Sequence, residues 1–210
     1  MAAEIRDVAH GLWLWQLEHP DWRTGLEWNP AVASTCVESR GEVIVLDPLG
    51  PPDDADGVWA RLDARPPTTA VILKPDHVRS VDTIVRRYGA RAFGPGVFHR
   101  GDVPEAELEE IWPGKELPGG LVAQHDGRGR NETPIWLPEQ RALVFADALT
   151  APEGELLVWA TPWHEQRVLP ALRALLELPF ELVIVSHGEP VHDRAEFERA
   201  LGRTPWGQAA

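Results

Sequence analysis

Apolar runs in this chain stop abruptly on titratable residues: Leu143-Val144-Phe145-Ala146 ends at Asp147 and Leu182-Val183-Ile184-Val185-Ser186 at His187. Runs this short and this rich in β-branched residues read as buried strands, because a helix needs roughly ten residues or more. Strand ends are rigid, so they can hold polar side chains at fixed distances. A further run, Thr69 to Leu73, leads into the loop Lys74-Pro75-Asp76-His77-Val78-Arg79-Ser80, where one histidine sits among an acid and cations.

The rest of the pattern sets the fold class. Val32 to Leu49 holds two apolar runs separated by Glu38-Ser39-Arg40-Gly41, a strand, a tight turn and a strand. Thr133–Leu137 and Ala142–Phe145, separated by Pro138-Glu139-Gln140-Arg141, form a second hairpin pointing at Asp147. Ile5 to Leu17, rich in strand formers from Gly11 on, is read as extended, and Ala90–Phe93, Leu121–Gln124 and Glu155–Trp159 add short strands. Helical spacing is predicted over Asp53–Asp63, Ser80–Tyr88 with a stop at Gly89, His164–Leu178, and Asp193–Leu201 capped by Asp193. Gly101–Gly120 reads as a connection. Hairpins require antiparallel pairing, so a doubly wound parallel sheet fits less well than two mixed sheets flanked by helices on their outer faces, an α+β arrangement. Residues 1–210 are expected to form a single domain.

Charge narrows the partners. Twenty Lys and Arg against 33 Asp and Glu leave a formal net charge of −13, which repels phosphate backbones and anionic lipid. No nucleic acid is expected as a partner and no membrane; a small-molecule ligand and a homo-oligomer are allowed. The lone Cys36 sits in an apolar stretch and reads as a small buried hydrophobe. Met1-Ala2-Ala3-Glu4-Ile5-Arg6-Asp7 lacks the basic start and apolar run of a leader, and no apolar run approaches the ~18 residues that cross a bilayer, so a cytoplasmic location is the expectation.

His77, Asp147 and His187 could together hold one divalent metal with an open position. In this arrangement the chain resembles the metallo-β-lactamase superfamily. Thr35 to Pro48 is similar to the family's first hairpin with its strand-end Asp, Ile72 to Tyr88 to the strand, metal loop and helix, Glu132 to Leu149 to the hairpin reaching the metal-bridging Asp, and Val183 to Val191 to the closing Gly-His-Gly segment. The resemblance implies a four-layer αβ/βα sandwich and a relation to metal-dependent hydrolases. It also marks losses. The family loop Thr-His-x-His-x-Asp-His keeps only His77: Pro75 replaces the first histidine, Arg79 the aspartate and Ser80 the last histidine. Asp126-Gly127-Arg128 resembles the turn of the next ligand, with Arg128 in place of histidine; a one-residue shift would bring in His125 or Asp126.

With those ligands lost, a buried Asp147 is an unpaired anion, costing several kcal/mol. Arg79 and Arg128 are permanent cations, with Lys74 nearby, and a salt-bridge network through them is expected to replace the metal at Asp147. The expected function is then a non-catalytic or ligand-binding member of the fold without a cofactor. The alternative is a hydrolase with one zinc or iron at His77, Asp147 and His187, helped by Asp76, His125 or Asp126, acting on an ester, thioester, amide or phosphoester. Metal-free hydrolysis with His77 as base is chemically allowed, but Ser80 is the nearest nucleophile and only three residues along.

Two tryptophan-bearing segments remain. His19 to Pro30 carries Trp22 and Trp28, which either line a pocket or interface or cover the core edge. Trp159 to His164 precedes the long helix, with Thr161 as a capping residue and Trp163 expected to pack. The turn Gly127 to Glu132 carries Arg128 and Arg130, which either grip an anion or pair with surface acids.

Overall fold

The computed structural model describes residues 3–26, 28–52, 56–128 and 132–207, without the Asp56 side chain. Met1 and Ala2 of the N-terminal stretch, Glu27 of the tryptophan loop, Asp53 at the expected helix start and Arg130 of the arginine turn lie outside the described residues.

Among those residues, the larger sheet runs in sequence order: β1 (Glu4–Ala9), β2 (Leu12–Glu18), β3 (Ala31–Ser39), β4 (Glu42–Leu46), β5 (Thr69–Val71), β6 (Arg91–Gly94) and β7 (Leu108–Glu110). Its first four strands pair antiparallel and the rest parallel. The reversal from β3 to β4 is tight because Arg40 and Gly41 both adopt positive φ, 49° and 83°, as a hairpin turn that matches strand twist requires. Parallel neighbours need crossovers, and α1 (Asp56–Ala64) and α2 (Val81–Tyr88) supply them between β4, β5 and β6. Gly89 ends α2 in the left-handed conformation, its N–H donating to Val85 O.

The smaller sheet has the order β13-β10-β9-β8, made by β8 (Val122–Ala123), β9 (Ile135–Leu137), β10 (Ala142–Val144) and β13 (Leu182–Ile184). β9 and β10 are the expected hairpin, and β13 joins β10 in parallel. Between them in the chain, β11 (Leu149–Thr150) and β12 (Leu157–Val158) form a separate ribbon. α3 (Leu169–Ala174) and α4 (Arg194–Ala200) complete the elements, Asp193 capping α4 through Ala195 N at 2.9 Å.

Period-two alternation sorts the side chains into layers. Leu14, Ile44, Leu46 and Val71 of the larger sheet meet Ile135, Leu137, Val144 and Ile184 of the smaller one in a central core. Trp13, Val43 and Val45, one residue out of phase, pack outward against Val58 and Leu62 of α1 and Val81 and Ile84 of α2. Leu143 and Val183 pack outward against Leu169 and Leu172 of α3 and Phe197 and Ala200 of α4. Helix, sheet, sheet, helix is the expected sandwich. Cys36 is buried in the outer core of the larger sheet, and burial pushes its thiol up to about 12.

The elements differ from expectation in places. β7 lies inside the stretch read as a connection; its Leu-Glu-Glu sequence is an edge strand with no apolar alternation to reveal it. The long helix is not uniform: His164–Val168 is a π turn, α3 follows, and Leu175–Glu177 closes as 3₁₀. Pro170 explains the wide turn, since it has no N–H to donate back and its ring crowds the preceding turn. Trp163, expected to pack, is 49% exposed under the Arg167 guanidinium, while Thr161 Oγ1 accepts from Trp163 N at 3.3 Å. No helix is long and apolar enough to cross a membrane among the described residues.

Candidate functional site

The two sheets meet at the C-terminal ends of β4, β5, β10 and β13. Ala33 N donates to Ser186 O at 2.8 Å and Thr133 N to Leu73 O at 2.9 Å, which ties the rims together. The chain thus delivers Asp47, the Lys74–His77 loop, Asp147 and His187 to one place. Lys74, Asp76, His77, Asp147 and His187 border a cleft of about 280 Å³ there, whose walls include Trp28, Trp159 and Arg79, with Asp47 behind His77.

Asp47 organises the floor. Its Oδ1 accepts from Leu73 N at 2.7 Å and its Oδ2 receives His77 Nδ1 at 2.8 Å. Its carbonyl accepts from Ser34 Oγ at 2.8 Å and Arg79 Nη1 at 2.9 Å. Asp47 and Arg79 both have positive φ, 46° and 47°, a conformation that costs on the order of 1 kcal/mol or more in a non-glycine residue. The bond from Arg79 Nη1 to the Asp47 carbonyl ties the two strained residues together.

Asp147 is fixed from behind by Glu132. The buried Glu132 carboxylate accepts from the backbone N–H of Ala146 at 2.8 Å, Asp147 at 2.8 Å and Ala148 at 2.7 Å, and from the Arg128 guanidinium. Burial, with the Asp126 and Asp147 charges, pushes this carboxyl up to about 7 against the opposing pull of the Arg128 guanidinium and the backbone N–H donors.

In front, Asp147 Oδ2 receives Lys74 Nζ at 2.8 Å and His77 Nε2 at 3.3 Å. Lys74 also reaches Asp76 at 2.6 Å, so the ammonium lies between two carboxylates. Burial and the Arg79 charge push His77 down, but Asp147 and Asp47 on its two ring nitrogens outweigh them and carry it up to about 9. His77 is therefore an imidazolium with both nitrogens donating. Burial pushes Asp147 up; His77 and Lys74 outweigh it and hold the carboxyl well below its ordinary range.

His187 is the opposite case. Burial, with Arg79 and His77, overrides the attraction of Asp147 and lowers it to about 4, so the ring is neutral. Its Nδ1–H donates to Asn29 O at 3.1 Å, which leaves Nε2 without a proton. That bare nitrogen stands 3.6 Å from Asp147 Oδ1, itself buried with no hydrogen-bond partner among the described residues. Two acceptors face one another there.

The structure brings Lys74, Asp76, His77, Arg79, Asp147 and His187 to one cleft. It does not bring His125, Asp126 or Arg128 to it. His125 is exposed, and Arg128 spends Nε on Asp126 at 2.7 Å and a terminal nitrogen on Glu132. The expected bonding of Arg79 or Arg128 to Asp147 is thus corrected: Arg79 reaches backbone carbonyls, Arg128 reaches the carboxylates behind, and Lys74 is the cation at Asp147. The arginine side chains are held elsewhere by nearer acceptors, whereas the Lys74 stem emerges straight from the end of the β5 run. Ser80 Oγ accepts from Gly50 N at 2.8 Å and lines no part of the cleft, so it is no nucleophile for His77.

Asp47 and Glu132 were missed as site residues. The abrupt end of the Val43–Leu46 run was a usable signal for Asp47; nothing local marks Glu132. Trp28 serves both roles weighed for it, packing on the outer core and lining the cleft edge-on to His187, with ring centroids 5.2 Å apart. Trp22 Nε1 donates to Trp28 O at 2.9 Å and faces an adjoining cavity of about 360 Å³. Among the described residues, no group of three or more His, Cys, Asp or Glu side chains is arranged to hold a metal ion.

No family model matches the chain, and no curated protein sequence does. Solved structures do match. A metallo-β-lactamase from Pontibacter korlensis superposes with a TM-score of 0.71 at 14% identity, over 96% of this chain and 100% of that one. The metallo-β-lactamase FIM-1 from Pseudomonas aeruginosa, in its mono-zinc form, gives 0.70 at 18% identity, over 96% and 94%. DIM-1 metallo-β-lactamase exposed to ceftazidime gives 0.71 at 14%, over 96% of each. Identity at this level carries the architecture and nothing finer.

Proposed function

We propose that this chain, which has the metallo-β-lactamase fold, is a ligand-binding protein whose cleft works without a metal and does not hydrolyse by a metal route. The observation that carries this reading is the Lys74 ammonium, 2.8 Å from Asp147 Oδ2. A divalent ion entering there has to displace one cation while facing two more, His77 and Arg79. His77 offers it no lone pair while both ring nitrogens donate to carboxylates. Pro75 and Arg79 offer none either, and the Ser80 hydroxyl accepts from Gly50 N away from the cleft, at positions where the resembling family has ligands. The donor set does not fit a metal pair, and Lys74 and His77 supply instead the positive charge that Asp147 needs to stay buried.

One observation favours a second reading. The facing acceptors His187 Nε2 and Asp147 Oδ1, 3.6 Å apart, are a pair that a single zinc or iron could bridge. A hydrolase of esters, thioesters, amides or phosphoesters built on them requires Lys74 to leave Asp147 and His77 to lose a proton.

Metal analysis of protein purified without added metal separates the two, combined with turnover of chromogenic ester, thioester, amide and phosphoester substrates with zinc and with chelator. Metal far below one per chain and no chelator-sensitive turnover are expected. Stoichiometric zinc or iron, or turnover abolished by chelator, overturns the metal-free reading. Lys74→Ala is expected to bind zinc at least about tenfold more tightly than the unmodified chain. Equal affinity would show that Lys74 is not the competitor.

A further inference from the structure

The cleft cations are not equally compensated. Lys74 lies between Asp76 and Asp147, and His77 between Asp47 and Asp147. Arg79 has no carboxylate within 4.0 Å among the described residues. Its Nη1 is shared between Asp47 O at 2.9 Å and Ala33 O at 3.3 Å, its Nη2 makes one long contact to Ser186 Oγ at 3.4 Å, and its Nε has no partner among the described residues. Backbone carbonyls and a hydroxyl orient a guanidinium but leave its charge unneutralised. This charge is half-buried in the wall of a cleft, on a chain with a formal net charge of −13. A partly desolvated guanidinium without an acid is a strong place for an anion.

The surroundings define that anion. Lys74, His77 and Arg79 stand against Asp47, Asp76 and Asp147, so the cluster is neutral in sum, and Arg79 is its cation without a carboxylate in contact among the described residues; a monoanion there meets less repulsion from those carboxylates than a dianion does. Two tryptophans share the lining: Trp28, held edge-on by His19 and His187, and Trp159, held edge-on by Trp206 at 4.5 Å. Rings fixed in this way present a surface for another ring at little entropic cost.

We propose that the cleft binds a small aromatic monocarboxylate, its carboxylate on the Arg79 guanidinium and its ring between Trp28 and Trp159. This deepens the metal-free reading and rests on it, since the ligand anion occupies the charge that a metal would otherwise oppose. The resembling family's metal loop has an aspartate where Arg79 stands, so the anchor belongs to this chain's own sequence.

Calorimetric titration in the presence of chelator tests it, with phenylacetate as probe, phenylacetamide as its uncharged counterpart and phenyl phosphate as the dianion. Phenylacetate is expected to bind at least about tenfold more tightly than either of the others. Arg79→Gln is expected to remove that preference and leave the weak amide binding unchanged, and Trp28→Ala to weaken both the acid and the amide. Arg23→Gln, on the exposed part of the 19–30 loop, is expected to change nothing. Because Arg79 also holds Asp47, the acid-against-amide comparison on the unmodified protein keeps the test decisive even if Arg79→Gln does not fold. Equal binding of acid and amide, no binding of either, or an intact preference in folded Arg79→Gln overturns the proposal. Acid binding that appears only when zinc replaces chelator overturns both this proposal and the metal-free reading. Stoichiometric zinc alongside Arg79-dependent binding in chelator overturns the metal-free reading alone.

Discussion

Arg128 lies buried between Asp126 and Glu132, its side chain 6% exposed and theirs 0%. It spends its guanidinium on two carboxylates, one of which holds the backbone on either side of Asp147. Replacing it with leucine would keep much of the volume and leave two buried carboxylates without their cation. Arg128→Leu is expected to cost about 3–5 kcal/mol in urea unfolding at neutral pH. A loss under about 1 kcal/mol would mean that the backbone N–H donors alone sustain Glu132. The same residue shows a limit of sequence reading. Its match to a ligand position was legible, but its partner Glu132 is fixed by the fold of the hairpin, so the arginine's target was not. Lys74 is the converse: named only as a cation near the two arginines, it is the one that meets Asp147.

Among the elements, α4 is tied to the ribbon preceding α3 by one carboxylate. Glu196 accepts from Leu156 N at 2.9 Å and from Arg199 Nε at 2.9 Å, and pairs with Arg203. The hydrogen bond from Arg203 is the chief cause that draws the Glu196 carboxyl down to about 2, against the opposing effect of burial. A carboxyl lowered on folding stabilises the native state above its unfolded value of 4.5, and that contribution is lost as pH falls toward about 2. Glu196→Gln is therefore expected to be less stable than the parent at pH 7, with the gap narrowing between pH 4.5 and 2. Urea melts across that window check it, and a gap that stays constant would contradict the assignment. Elsewhere among the elements, periodicity found α2 and α4 because their faces are cleanly amphipathic. It missed β7, whose Glu109 and Glu110 suit an exposed sheet edge, and the π turn, whose cause is the single residue Pro170.

Across the whole molecule, the central core is shared by both sheets, so neither sheet is complete alone. Leu46 is 1% exposed there and sits immediately before Asp47. Leu46→Ala is expected to cost about 2–5 kcal/mol and to shift the fluorescence and circular dichroism transitions together. Separate transitions would mean that the two sheets fold as independent units. The architecture was legible because hairpin turns such as Arg40-Gly41 and the alternation in β2, β3 and β4 are local signals that agree with the global fold. The site was legible only as a set of strand ends. Which cation meets Asp147, and which is left uncompensated, depends on side-chain reach across two sheets, and no spacing along the chain encodes it.

An ammonium standing at Asp147 in place of a metal is the central claim. Crystals grown with excess zinc salt, with diffraction collected on both sides of the zinc absorption edge, test it most directly. The predicted result is density for Lys74 Nζ beside Asp147 Oδ2 and no anomalous peak within bonding distance of Asp147 or His187. A zinc peak bonded to Asp147 and His187, with Lys74 turned away, would contradict it.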